Sequence, residues 1–234
     1  MPNHYEKALS LNAIAAEQQR FMVKVYNWMT VGLLITGTMA FYISNNAFML
    51  NMILGNAIIP IILFLAQLGL VVSLVGWISN MSASQATGVF VLYAGLNGLT
   101  FSSIFLAYTA SSITSAFLVT AGTFSVMSLY GYTTKKSLAS WGSFLFMGLI
   151  GIIIASLVNM FMQSEMIYWV TTYAGVLIFV GLTAYDTQKI KEMNILGNEG
   201  TDEDQKEAII GALTLYLDFI NLFLMILRIM GNRE

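Results

Sequence analysis

Seven stretches of predominantly apolar residues divide this chain, each about as long as the 20 residues an α-helix needs to cross the hydrocarbon core of a bilayer. They run at about 22–44, 57–79, 86–108, 112–133, 141–162, 167–188 and 208–229. Pro60 falls in the first turn of the second stretch, where a missing N–H costs little. Composition points the same way. Of 234 residues, 57% are hydrophobic and only 9% charged, with a mean hydropathy of +0.75, whereas a soluble domain carries roughly 25% charged residues. A soluble fold of this chain would expose large apolar patches and aggregate. The expected fold is therefore an all-α integral membrane protein, a bundle of seven transmembrane helices. It forms a single domain over residues 21–234 behind a polar tail, residues 1–20. Glu6, Lys7, Glu17 and Arg20 interrupt that tail, so it reads as no cleavable signal, and the first span reads as an uncleaved insertion signal.

Several function classes drop out. The net charge of −2 gives no footprint for nucleic acid and no polybasic anchor. Without cysteine there is no disulfide, thiolate catalysis or cysteine metal site. His4 is the only histidine, so histidine metal clusters and histidine-based triads are excluded. No phosphate-binding glycine loop or HExxH motif occurs, so neither an enzyme nor a resident cofactor is expected.

Basic residues near span ends orient membrane proteins with their positive side in the cytoplasm. With a cytoplasmic N-terminus, Lys7, Arg20, Lys24, Lys135, Lys136, Lys189, Lys191 and Lys206 fall inside, and Arg228 and Arg233 outside. The connector 45–56 is uncharged. The longest connector, 191–207, carries six acids and reads as a solvated, mobile loop, or else as one that collects calcium or a partner. Small residues four apart let helices approach closely in lipid. Ala94, Gly98 and Ser102 in span three, and Gly151 and Ala155 in span five, are the expected seams. Trp28, Trp141 and Trp169 lie near span ends, as interfacial aromatics do.

Two acids fall within spans. Asp186 sits near the inner end of span six, about one turn from the expected helix end, where the macrodipole opposes a negative charge. Asp218 lies well inside span seven. A charge at the bilayer centre costs roughly 2.5–3.5 kcal/mol on insertion scales. Gly211, Thr214 and Asn221 share the Asp218 face at helical spacing and extend it into a polar stripe. Spans six and seven are consecutive and antiparallel, so their carboxylates can meet. At 4 Å and an effective dielectric of 20, two such charges repel by about 4 kcal/mol. The pair would then share a proton and titrate in coupled steps. Separation of the helices or binding of a cation would relieve the doubly charged state. Oxygen-only ligation by Asp186 and Asp218 suits a hard ion such as Ca²⁺. The alternative is structural: Asp186 pairs with Lys189 at i+3, and Asp218 is a protonated acid bonded to Tyr or Asn neighbours.

The segments Gly181–Lys191 (GLTAYDTQKIK) and Gly211–Arg233 (GALTLYLDFINLFLMILRIMGNR), with Ser128–Lys136 (SLYGYTTKK), resemble the Bax inhibitor-1 family. This family is also called the transmembrane Bax inhibitor motif family. The likeness runs from about residue 20 to the C-terminus and is strongest to bacterial inner-membrane members. It implies a seven-helix fold with the last helix central, and a pH-sensitive calcium leak. It also implies a pH sensor formed by Asp186 and Asp218. Some members latch the span-six acid with a base near the inner end of span two. Residues 57–80 here contain no Lys or Arg, and Gln67 is their most polar mid-span group, so Lys189, Lys135 or Lys136 would have to substitute. The second functional reading is an interaction protein. Bacterial relatives are linked to a membrane-bound AAA protease as substrate or inhibitor, with contacts expected on residues 1–20 and 191–207. A proton-coupled transporter of another solute would call for an inverted repeat, and none is visible.

Overall fold

A computed structural model describes residues 4–56 and 58–232, and they are helical almost throughout. Among the described residues nine α-helices follow one another: α1 (His4–Ser44), α2 (Ala47–Leu54), α3 (Ile58–Trp77), α4 (Ala83–Phe101), α5 (Ile104–Ala107), α6 (Ala110–Thr133), α7 (Ala139–Met162), α8 (Glu165–Met193) and α9 (Asp202–Met230). Among the described residues there is no strand. Six helical segments are long and apolar enough to cross a membrane. The count reaches seven when α1 and α2, bent by 102° at their junction, are taken as one span. Ala57 and Arg233 lie outside the described residues.

Three boundaries differ from the sequence reading. The tail is not separate from the first span, because α1 runs back to His4. The uncharged connector 45–56 contains a helix, α2, started by the Asn46 side chain, which accepts from the Met49 N–H at 3.1 Å. Polar residues extend α8 to Met193 and start α9 at Asp202, so the long acidic connector shrinks to residues 194–201. Other starts follow local chemistry. Ser82 and Gln85 form a capping box on α4, and Thr109 caps α6.

The chain forms two units: residues up to Ser103 with Ile190–Leu213, and Ile104–Lys189 with residues from Thr214 onward. In the first, α1 packs on α4 at the expected seam. The Thr36 hydroxyl donates to the Ala94 carbonyl at 2.8 Å, and Gly98 has no room for a side chain against Met39 and the α1 backbone. Gln67 donates to the Thr100 hydroxyl at 2.7 Å and joins α3 to α4. The acidic connector makes contacts with α1 and α9. Arg20 makes a two-pronged ion pair with Glu199 at 2.7 and 2.8 Å, and Glu17 accepts from the Gly197 N–H at 2.6 Å. Buried Asp204 accepts from Lys24 and, at 2.7 Å, from the Gly200 N–H. Gly197 and Gly200 take φ of 87° and 83°, the left-handed region where glycine carries no side-chain penalty. No cluster of three or more His, Cys, Asp or Glu side chains that could hold a metal forms among the described residues.

In the second unit, α8 is the helix against which others are fitted. Gly131 of α6 lies so close to the Ala184 carbonyl that a Cβ would sit 2.1 Å from its oxygen. Beside it, the Ser128 and Thr187 hydroxyls bond at 3.0 Å. Gly142 and Gly148 of α7 face Tyr185 and Ile178. The seam expected at Gly151 and Ala155 does not form there, since a Cβ at Gly151 would meet nothing within 4 Å. Gln188 ties the α6–α7 turn to α8: its Oε1 accepts from the Leu138 N–H at 2.8 Å and its Nε2 donates to the Lys136 carbonyl at 3.0 Å. Phe219 of α9 meets Phe117 and Phe124 edge-on, with centroids at 5.6 and 5.5 Å. Burial is uneven. Of the most apolar window of each segment, 72% is buried in α9 but only 6% in α3, so α3 presents its apolar surface outward while α9 is enclosed.

Candidate functional site

The second unit contains a cavity of about 1000 Å³ bounded by α7, α8 and α9. Its polar lining includes each of the five residues expected from sequence: Asp186, Lys189, Thr214, Asp218 and Asn221. Along α7 the lining extends from Gly142 to Met160, about 27 Å at 1.5 Å rise per residue. The hydrocarbon core it would cross is about 30 Å thick. Most of the lining is apolar, and polar groups recur along it as a sparse series rather than a continuous strip.

The two aspartates meet. Asp186, half-buried on α8, and Asp218, buried on α9, line this one cavity, and their carboxyl groups are neighbours there. A hydrogen bond between two carboxyl groups needs a proton, since an ionised carboxylate only accepts. One proton between them removes the like-charge repulsion. The Oδ2 of Asp218 is buried and, among the described residues, has no hydrogen-bond partner. Such an orphaned acceptor is rare in folded interiors and costs free energy unless something satisfies it.

Two contacts that the structural alternative called for, with Lys189 and with Asn221, do not form. Asp186 makes no ion pair with Lys189. That ammonium group instead lies 5.9 Å from the Tyr185 ring centroid. Asn221 turns its amide to the Leu217 carbonyl, at 2.8 Å, and not to Asp218. Asp186 also lies farther from a helix end than expected. It sits two turns before Met193, and the macrodipole effect falls off within the last turn. Gly211 does not belong to the cavity stripe; it packs against Ile190 and Val25.

Sequence reasoning missed several polar lining residues, chiefly Asn159, Tyr168 and Arg228. Arg228 was visible: it continues the stripe Asp218, Asn221 at helical spacing, but a base near a span end reads first as a topology signal. Asn159 and Tyr168 give no such sign: Asn159 caps the following turn by accepting from the Ser164 N–H at 2.8 Å, and Tyr168 meets Arg228 from another helix.

Comparison with known proteins adds an independent line. A family model described as "Inhibitor of apoptosis-promoting Bax1" matches residues 18–234. The chain is 55% identical over 217 residues to the inner membrane protein YbhL of Escherichia coli (strain K12), covering 92% of this chain and 93% of that one. It is 45% identical over 217 residues to an uncharacterised protein of Borreliella burgdorferi, covering 93% and 94% of the two chains. Against an uncharacterised protein of Rickettsia prowazekii the identity is 44% over 217 residues, covering 92% and 91%.

Proposed function

Since this chain belongs to the Bax inhibitor-1 family of membrane proteins, we propose that it is a pH-sensitive calcium leak, gated by the carboxyl pair Asp186 and Asp218. The observation that carries the reading is the meeting of two carboxyl groups in a cavity nearly as long as the hydrocarbon core is thick. With one proton bridging them the pair is a closed latch between α8 and α9. Loss of that proton leaves two like charges, repelling by about 4 kcal/mol at 4 Å and a dielectric of 20. The helices then part, or a hard cation takes the proton's place between the oxygens. The orphaned Oδ2 of Asp218 offers a further oxygen to that cation. Thr214 and Asn221 supply polar groups on the same wall, and Lys189 sets a positive charge near the Asp186 end.

On this reading α1 and α2 together make the first of seven spans, α9 is the central helix and the N-terminus is cytoplasmic. The clustering of Lys135, Lys136, Lys189 and Lys191 at one end of α6, α7 and α8 supports that orientation. The name of the Escherichia coli relative supports placing the chain in a bacterial inner membrane. No basic latch from span two is needed, because the second carboxyl group does its work through a proton.

The test is Ca²⁺ flux into proteoliposomes across a pH series, for the parent and for Asp186→Asn and Asp218→Asn. The expected result is a flux that depends on pH, with a midpoint that moves in both variants. A parent without flux at any pH would end the leak reading and leave a role in protein interaction, with a membrane-bound protease as first partner to assay.

A further inference from the structure

Arg228 stands at the end of the cavity opposite Lys189. It is half-buried on the last turns of α9, with its guanidinium over the Tyr168 ring, 5.5 Å from the centroid. Its other contact is a 4.0 Å approach to the Met225 sulfur, and among the described residues no carboxylate pairs with it. A guanidinium held near a ring and without a carboxylate partner has N–H groups left for a forked acceptor such as phosphate. Around it opens a second cavity of about 440 Å³, lined also by Asn159, Gln163, Glu165 and Trp169. Glu165 thus lines the same space as Arg228 without pairing to it. Trp169 stands edge-on to Tyr168 at 5.4 Å and stacks on Tyr173 at 5.8 Å. Aromatic rings at a span end mark the depth of lipid headgroups. Phe161, Met162 and Met166, which flank the α7–α8 turn, are 87, 63 and 78% exposed and offer an acyl chain an apolar bed.

We propose that this cavity binds the headgroup of a zwitterionic phospholipid, with the phosphate on Arg228 and the ammonium between Glu165 and the Trp169 ring. The Arg228 fork takes two phosphate oxygens. The ammonium gains a carboxylate and an aromatic face. A headgroup carrying both charges satisfies Arg228 and Glu165 at once, whereas a purely anionic one sets its charge against Glu165. This site shares Asn159, Tyr168 and Arg228 with the long cavity but lies at the end away from the carboxyl pair, and its test reads binding, not flux.

The experiment is native mass spectrometry of the delipidated full-length protein with phosphatidylethanolamine, phosphatidylglycerol, diacylglycerol or inorganic phosphate. Phosphatidylethanolamine is expected to be retained above phosphatidylglycerol, and diacylglycerol not to be retained. Arg228→Gln is expected to lower phosphatidylethanolamine retention about tenfold and Arg228→Lys to keep part of it. Glu165→Gln is expected to abolish the preference for phosphatidylethanolamine. Retention of diacylglycerol at the same level, or of phosphatidylethanolamine by Arg228→Gln at the parent level, would overturn the proposal. So would an unchanged lipid preference in Glu165→Gln, or displacement of the lipid by inorganic phosphate. Should Arg228→Gln not fold, the Arg228→Lys and Glu165→Gln measurements decide the matter.

Discussion

Gly131→Ala adds one methyl group where α6 meets the backbone of α8. The new Cβ would lie 2.1 Å from the Ala184 carbonyl oxygen, and 2.9 and 3.0 Å from its carbonyl carbon and Cα. Non-bonded carbon atoms settle near 3.5–4.0 Å, so the two helices must part by roughly 1 Å. Backbone, unlike the tip of a long side chain, cannot swing away. Overpacking of this kind costs about 1–3 kcal/mol. The Ser128–Thr187 hydrogen bond, 3.0 Å and one turn away, would stretch with it, adding about 1 kcal/mol. Alanine's better helix propensity returns about 1 kcal/mol. The net loss is about 1–3 kcal/mol, or on the order of 5 °C in apparent melting midpoint for a chain of this size. Gly151→Ala and Gly122→Ala are the controls, because a Cβ there meets nothing within 4 Å. The assay is loss of monodisperse protein on heating in detergent. Gly151→Ala and Gly122→Ala should melt at or slightly above the parent, and Gly131→Ala below it. Equal midpoints for Gly131→Ala and Gly151→Ala would refute a backbone-to-backbone approach of α6 and α8.

Gln188→Ala leaves the Leu138 N–H without its acceptor, and an unsatisfied buried group costs about 1–3 kcal/mol. Amide exchange at Leu138 should accelerate, and Gln188→Glu, which keeps the acceptor, should lose less. Lys24→Met strips Asp204, whose side chain is 3% exposed, of its counter-ion. Removing one member of a buried pair costs up to about 3–5 kcal/mol; the Gly200 N–H remains as a partner, so the lower end is expected in thermal unfolding. The Arg20 guanidinium hydrogen-bonds Glu199 and holds that carboxyl below its ordinary value of 4.5. Its contribution is therefore complete above the ordinary glutamate range and fades as pH falls through the lowered value. Exchange at Gly197 and Gly200 should stay slow through neutral and mildly acidic pH and quicken only below it. In Glu199→Gln exchange at these amides should be faster than in the parent at neutral pH; a pH profile identical to the parent's would refute a role for the pair.

The membrane class and the spans are legible because about 20 apolar residues have few other uses. What the apolar windows hide is where helices stop. Lys189, Lys191 and Glu192 end the apolar run but not α8, since a helix continues into water as readily as it crosses lipid. The same holds for Asp202 to Glu207 at the start of α9. Asp186 and Asp218 stand out because an acid inside an apolar run demands a reason. Their meeting follows from helix order, whereas the Arg20–Glu199 pair joins residues far apart in sequence and leaves no local trace. Gly151 shows the limit of small-residue spacing. It is exposed, and a Cβ there has no neighbour within 4 Å, while α8 packs against Gly142 and Gly148 instead.

The enclosure of α9 bears on how the chain is built. Synthesis delivers α1 to α8 first, and α9, which carries Asp218, follows them. By then Asp186 is already in place to receive a partner. Asp218 can pass from the ribosome's exit into a waiting berth, and its carboxyl group need never face acyl chains alone.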